Sequence, residues 1–390
     1  MRLVKQDSRD LIIITKYFAP VNVVDSNSVY DLCEKLIKIN SKLNLHIVTT
    51  ESKYKTDISL RAFDSTFLKT LNIHKIKSYY SGKGIFRIIN DVFTSFRLVF
   101  YAKSLNIQTI ISLSNPPLIN TICGLLLRKR NYIYWSFDLF PEALFANNLL
   151  NERSLIGRIL LKLTYYYPPY AIIGLGPKQF EYLQSKYGSK EIIKIIMPCG
   201  IHQFAKSDIV PKWYCKNKVT LGYIGNLGKA HSKDFLINVI SVIDDFKSLK
   251  LLISIYGEYS DEVLLFLKEN GKPNNVEIIE PVSQNQLGFI DIHLVSLLDN
   301  WTNISVPSKA VSAVCSNSTL WYNGSPFSDT FNFFGNCSYF SDSDLVSVKE
   351  VLFSITEVDV NEKKINAEQI AQEMRDAEQN SIIQIINLLE

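Results

Sequence analysis

The chain has 390 residues, 47% of them apolar and 21% charged, with 42 Lys+Arg against 38 Asp+Glu. This composition excludes a disordered or collagen-like chain, and the length suffices for two or three domains with full cores. No uncharged apolar run reaches the roughly 18 residues that cross a bilayer, and "MRLVKQDSRDLIIITKYF" has no signal-peptide cleavage site, so a cytoplasmic protein opening on a strand is expected. Six cysteines (Cys33, Cys123, Cys199, Cys215, Cys315, Cys337) lie far apart without a C-x-x-C pair. They read as reduced thiols, a disulfide being the lesser alternative.

The elements alternate from the start. Leu11–Phe18 is a short apolar run. The next segment puts Val29, Leu32, Cys33, Leu36 and Ile37 on one helical face, with Ser26, Asn27 or Ser28 as its cap. "NLHIVTT", "IQTIISL", "NYIYWSF", "YAIIGLG" and "EIIKIIM" follow as strands. Helices are expected over Pro117–Arg130, near Leu155–Tyr165 and from Pro177. The pattern then restarts with "VTLGYIG", Val219–Gly225, and a helix near Lys233 carrying Phe235, Leu236, Val239, Ile240 and Val242. "LKLLISIYG", "NVEIIEP" and "IDIHLVSLL" are further strands, and Asn366–Leu389 is a closing amphipathic helix. Strands alternating with helices predict α/β architecture: two doubly wound, Rossmann-like domains facing a central cleft. The expected division is 1–199 and 200–365, with an irregular linker near 200–217 and the helix 366–390 packing back on the first domain.

Charge is uneven. Residues 1–200 hold 27 Lys+Arg and 14 Asp+Glu, whereas the remainder holds 15 and 24. Such a basic half suits an anionic partner such as a membrane surface or a lipid phosphate, unless it is chance surface charge. No basic–aromatic recognition module is visible, which argues against nucleic acid. One segment of this half carries Ile85, Ile88, Ile89, Val92, Phe93, Phe96, Val99 and Phe100 at helical spacing, among Lys75, Lys77, Lys83, Arg87, Arg97 and Lys103. It reads as a core helix in preference to an interfacial one.

Three stretches carry chemistry. In "GYIGNLGKAHSKDF" a strand, a glycine turn and a helix follow in order, with Gly225, Asn226, Gly228, Lys229 and His231 placed to meet a phosphate. The alternative is a tight turn that needs glycine. In "SVPSKAVSAV", Pro307, Ser308 and Lys309 open a helix, which makes a second anion-ready start or an ordinary capped helix with a solvated lysine. "YIYWSFDLFPEAL" drives a buried strand to two carboxylates, Asp138 and Glu142. Asp138 either faces a ligand at the strand end or caps the helix containing Glu142. The five histidines lack metal-ligand spacing, so no metal is expected.

Taken in order, "TKYFAP…SVYDLCEKL", "SLSNPPL", "WSFDLFPEAL", "GYIGNLGKAH" and "SVPSKAVSAV" resemble the motifs of bacterial glycosyltransferase family 4, a two-Rossmann-domain (GT-B) type, in the branch that builds cell-surface polysaccharides. The likeness spans roughly residues 10–355. It implies transfer of a sugar from a nucleotide-sugar donor to an acceptor hydroxyl, with retention, without metal or cofactor. It implies a donor site at Gly225, Asn226, Gly228, Lys229, His231, Pro307, Ser308, Lys309 and Ser312. On the acceptor side it implies Asp25, Ser26, Asn27 and Asn115, with Asp138 catalytic and Glu142 supporting it. The acceptor would be a saccharide or lipid-linked saccharide at the inner face of the plasma membrane. Two departures stand out: the loop "VNVVDSNS" replaces the family's Gly-Gly pair, and Ser312 stands where the family has a ribose-binding Glu. Ser312 is the feature that favours the alternatives, a non-catalytic binding or partner subunit above all; an epimerase would need further acid/base residues.

Overall fold

The computed structural model describes residues 10–51, 63–78, 85–188, 191–203 and 206–389, with the backbone alone at 85–88. The apolar runs read from the sequence become strands buried on both faces, as strands of a parallel sheet sandwiched by helices must be. In chain order the first seven are β1 (Asp10–Ile14), β2 (Asn44–Thr50), β3 (Asn72–Ile76), β4 (Thr109–Leu113), β5 (Asn131–Ser136), β6 (Ala171–Gly174) and β7 (Ile193–Ile196). They form one sheet in the order β3-β2-β1-β4-β5-β6-β7 with every neighbour parallel. The next six are β8 (Val219–Asn226), β9 (Leu249–Tyr256), β10 (Val276–Ile278), β11 (Ile292–Leu297), β12 (Thr319–Gly324) and β13 (Ser338–Phe340). They form a second parallel sheet in the order β10-β9-β8-β11-β12-β13. Both are doubly wound α/β sheets, the fold class expected from the sequence.

The chain forms two compact units. One runs to Cys199 and takes up the chain again from Ala377; the other is Gly200–Asp376. In the first, Leu11–Ile14, Ile110, Ile111, Ile133 and Tyr134 are almost wholly enclosed. In the second, Tyr223, Phe235, Leu251, Ile253, Leu294 and Trp321 build the centre of the core. None of the six cysteines forms a disulfide, and five of them are buried.

Several boundaries differ from those read in the sequence. β3 is a polar-looking edge strand, half-buried and therefore without an apolar signature. β12 follows its helix after a tight turn in which Asn317 takes φ 60°, which disguises a strand as loop. The closing helix is longer than expected, Glu357–Asn387. Its upper half buries only the narrow stripe Val360, Ala367, Ala371 and Met374, too sparse to register as amphipathic. The helix after β1 spans Val24–Ile39 and starts on Val23 without a side-chain cap, so Ser26 and Asn27 are not caps but lie in its first turn.

The helix Ile85–Ser104 corrects a preferred reading. Leu98, Val99 and Ala102 face the core, yet Ile89, Phe93, Phe96 and Phe100 are exposed. Lys83 and the side chains of Ile85, Arg87 and Ile88 lie outside the described residues.

Candidate functional site

Ligands of open parallel sheets bind at the carboxyl ends of strands, where the strand order reverses. That reversal falls between β1 and β4 in the first sheet and between β8 and β11 in the second. The residues singled out from the sequence end or follow these four strands, except Asp138 and Glu142, which follow β5.

In the first unit, Lys16 lies two residues beyond β1, buried, with its Nζ 2.6 Å from Asp91 Oδ1. Asp25 occupies the first turn of Val24–Ile39. Asn115, from the loop after β4, donates from Nδ2 to Asp25 Oδ2 at 2.8 Å. Burial pushes the Asp25 carboxyl up from 3.8 to about 6. The Asn115 hydrogen bond opposes that rise, the Asp138 carboxylate adds to it and the Lys16 ammonium opposes it. These four side chains therefore share one electrostatic neighbourhood. Beside Asp25, Ser26 Oγ and Asn27 Oδ1 are enclosed without a hydrogen-bond partner, unusual for buried polar atoms and suited to a polar ligand.

Asp138 is exposed at the end of β5. It does not cap the following helix, Glu142–Ala146, whose first position is preceded by Pro141 with no side-chain cap. Glu142 turns the other way, into the core, where its Oε1 accepts from Tyr165 at 2.6 Å and Tyr182 at 3.3 Å. Its Oε2 is buried without a partner, and burial raises its pKa. Asp138 is thus grouped with Asp25, Asn115 and Lys16, whereas Glu142 is held in a tyrosine pocket.

In the second unit, β8 ends in a loop that needs glycine. Gly225 takes φ 107°, in the region L side chains avoid. Gly257, at the end of β9, takes φ 113°, and a Cβ there would lie 2.2 Å from Asn226 Oδ1. The two loops are joined backbone to backbone, with Leu227 N donating to Tyr256 O at 2.7 Å. Ser232 then caps the helix Lys233–Val242 by accepting from Phe235 N.

Lys309 is not the solvated lysine of an ordinary helix start. It is the second residue of Ser308–Cys315, and Pro307 precedes that helix without a side-chain cap. Its Nζ lies 4.4 Å from the centre of the Tyr223 ring and donates to Asn226 O at 2.8 Å and Tyr223 Oη at 3.2 Å. No carboxylate is among these partners, and burial lowers its pKa from 10.5 to about 7. His231 sits in the same field: burial first, then the Lys309 charge, lowers it to about 3, so the ring is neutral. Its Nδ1 contacts the Ser296 carbonyl at 2.5 Å. A carbonyl only accepts, so Nδ1 carries the proton and Nε2 is an acceptor. His231 as it stands therefore receives a hydroxyl hydrogen in preference to donating to phosphate. Lys229 pairs with Glu258 at 3.2 Å on the surface, an interaction worth at most about 1 kcal/mol and easily exchanged for an anion. Ser312 donates from Oγ to Gly200 O at 3.2 Å.

Sequence reasoning missed Lys16, Asp91, Tyr223, Ser296 and Gly257. Only two left a signal: Lys16 is the one charge inside the apolar run Leu11–Phe18, and Gly257 ends another run.

No family model matches the sequence, and no curated protein matches it. The structure is similar to several solved ones. Sucrose-phosphate synthase from Thermosynechococcus elongatus superposes with TM-score 0.70 at 11% identity, covering 97% of this chain and 98% of that one. HepE of Anabaena, solved in complex with UDP and glucose, gives TM-score 0.63 at 12% identity over 98% and 99%. WaaG, a glycosyltransferase involved in lipopolysaccharide biosynthesis, gives 0.64 at 10% over 93% and 95%. At such identities the likeness is one of fold, and the fold is the GT-B type.

Proposed function

We propose that the protein is a nucleotide-sugar-dependent glycosyltransferase of the family 4 type, retaining and metal-independent. The observation that carries this reading is Lys309. A half-neutral ammonium held against Tyr223, at a helix start and beside a glycine turn, is a site waiting for negative charge. A nucleoside diphosphate supplies that charge, and the HepE complex with UDP and glucose supports that ligand class for the fold. On this reading Gly225, Asn226, Gly228, Lys229, Pro307, Ser308 and Lys309 take the diphosphate. His231 Nε2 accepts from a sugar hydroxyl. Asp138, with Asp25 and Asn115 behind it, orients the acceptor hydroxyl and receives its proton. Ser26 and Asn27 hydrogen-bond the acceptor. The acceptor is a lipid-linked or growing surface saccharide, handled by the basic first unit at the inner face of the plasma membrane. WaaG's role in lipopolysaccharide biosynthesis supports that acceptor class.

Calorimetric titration with UDP, GDP and ADP, followed by incubation with the matching nucleotide-sugars, tests the reading. Binding of one diphosphate with release of that diphosphate from its sugar is expected. If none of the three binds at millimolar concentration, the donor assignment is wrong.

The second reading is a binding subunit of the same fold without transfer activity. Ser312 favours it, because its Oγ donates to the Gly200 carbonyl and leaves only an uncharged acceptor where the family has a carboxylate. Nucleotide binding without turnover would select it.

A further inference from the structure

Three helices of the first unit lie side by side. Ile119–Leu126 touches both Ile85–Ser104 and Leu155–Thr164, and Thr121 Oγ1 and Thr164 Oγ1 share a hydrogen bond at 2.6 Å. Their outward surface is apolar. On Ile85–Ser104, the residues Ile89, Phe93, Phe96 and Phe100 recur at spacings of four, three and four, and Phe93 is 66% exposed. On Leu155–Thr164, the residues Leu155, Ile156, Ile159 and Leu163 share one face, with Leu155 74% and Ile156 67% exposed. Only Gly157 and Thr164 of that helix are buried. A helix this apolar that turns its stripe to solvent has no reason in the core of the unit.

Charge identifies the occupant. Residues 85–180 hold ten Lys+Arg and four Asp+Glu. Of those four, Asp91 and Glu142 are buried. Lys103, Arg128, Lys129, Arg153, Arg158 and Lys162 are exposed on these helices or within three residues of their ends. A groove of about 630 Å³ at the end of the second helix, lined by Leu161, Lys162, Tyr165, Tyr166, Tyr167 and Lys186, adds two ammonium groups beside tyrosine rings. The other unit also exposes large apolar side chains, such as Phe353, Val358 and Ile365, but among Glu350, Glu357 and Glu362. Apolar exposure with positive charge fits an anionic bilayer; with negative charge it does not. No helix among the described residues is long and apolar enough to cross a membrane.

We infer that this three-helix face of the first unit docks on an anionic membrane surface, with the Phe93, Phe96, Phe100, Ile156 and Ile159 side chains entering the headgroup boundary. The inference does not depend on sugar transfer, since vesicle binding is read without donor or acceptor.

The full chain is sedimented with vesicles of phosphatidylglycerol and phosphatidylcholine, and with vesicles of phosphatidylcholine alone, at low and high salt. Stronger binding to the anionic vesicles, weakened by salt, is expected. Phe93→Ser with Phe100→Ser, and separately Ile156→Ser with Ile159→Ser, should each weaken it about tenfold or more. Arg153→Glu with Arg158→Glu should abolish the preference for anionic lipid. All these positions are exposed, and unchanged thermal melting confirms folding. Equal binding to both vesicle types, or full binding by both apolar variants, overturns the inference. So does a wild-type dimer that either apolar variant converts to monomer, since a second copy would then cover the face.

Discussion

Asn115 and Asp25 join across the point where the first sheet reverses its strand order, through one hydrogen bond of 2.8 Å. The bond fixes the carboxyl in a site that raises its pKa to about 6. An acid with a raised folded pKa adds stability that is fully present below its free value of 3.8 and is lost as pH rises through about 6. Asp25→Asn should therefore stabilise the fold at pH 7.5 by about 2 kcal/mol, after discounting for solvent, and change it little at pH 3.5. Denaturant unfolding at the two pH values measures this. The same variant should lose transfer activity, placing Asp25 in function and not in folding.

Lys309 gives the opposite pH sign. Its pKa falls from 10.5 to about 7 on folding, so the unfolded chain binds the extra proton between those values and stability rises with pH across that window. A bound diphosphate restores the charge. Diphosphate binding at pH 8 should thus take up a proton, seen as a dependence of the binding enthalpy on buffer ionisation. Lys309→Met should remove that proton uptake and weaken diphosphate binding about 10- to 100-fold. Unaltered proton uptake in the variant would assign it to another group.

Gly257 packs against the loop that follows β8. Gly257→Ala sets a Cβ against Asn226 Oδ1 and forces a β-carbon onto φ 113°. A loss of about 1–3 kcal/mol is expected. Gly225→Ala, at φ 107° but with open space around the Cβ, should cost less. Equal losses at the two sites would show that backbone strain alone decides.

Asp138 and Glu142 separate by substitution. Asp138→Asn should leave stability unchanged and reduce turnover about 100-fold or more. Glu142→Gln keeps an acceptor for Tyr165 and removes a buried carboxylate whose pKa burial raises. It should stabilise the fold at neutral pH, lose that advantage below pH 4, and retain turnover. A turnover loss at Glu142 matching that at Asp138 would return Glu142 to the reaction.

Ser312→Glu tests the departure from the family pattern. The introduced carboxylate would meet the Gly200 carbonyl, which Ser312 Oγ now approaches to 3.2 Å. Like partial charges repel, so the variant should lose stability and gain no nucleotide affinity. A tighter nucleotide complex would show that the chain can bend the new side chain toward a ribose.

Ten of the thirteen strands were legible in the order of the residues; half-buried β3, β12 behind its tight turn and the three-residue β13 were not. Apolar runs alternating with helical faces leave a doubly wound topology as the way to bury them, and the strand ends at Gly225, Asp138 and Asn115 follow from those runs. Which polar groups meet was settled by the folded chain alone. Asp25 and Asn115 stand ninety residues apart, and Lys309 reaches Tyr223 across 86. Such pairings depend on which loops the strand order brings together, and one-dimensional periodicity carries no record of that. The same holds for the Phe93–Phe100 stripe. Helical spacing states that the residues share a face, but whether that face looks inward is settled by what packs against the opposite side, where Leu98, Val99 and Ala102 already meet the core.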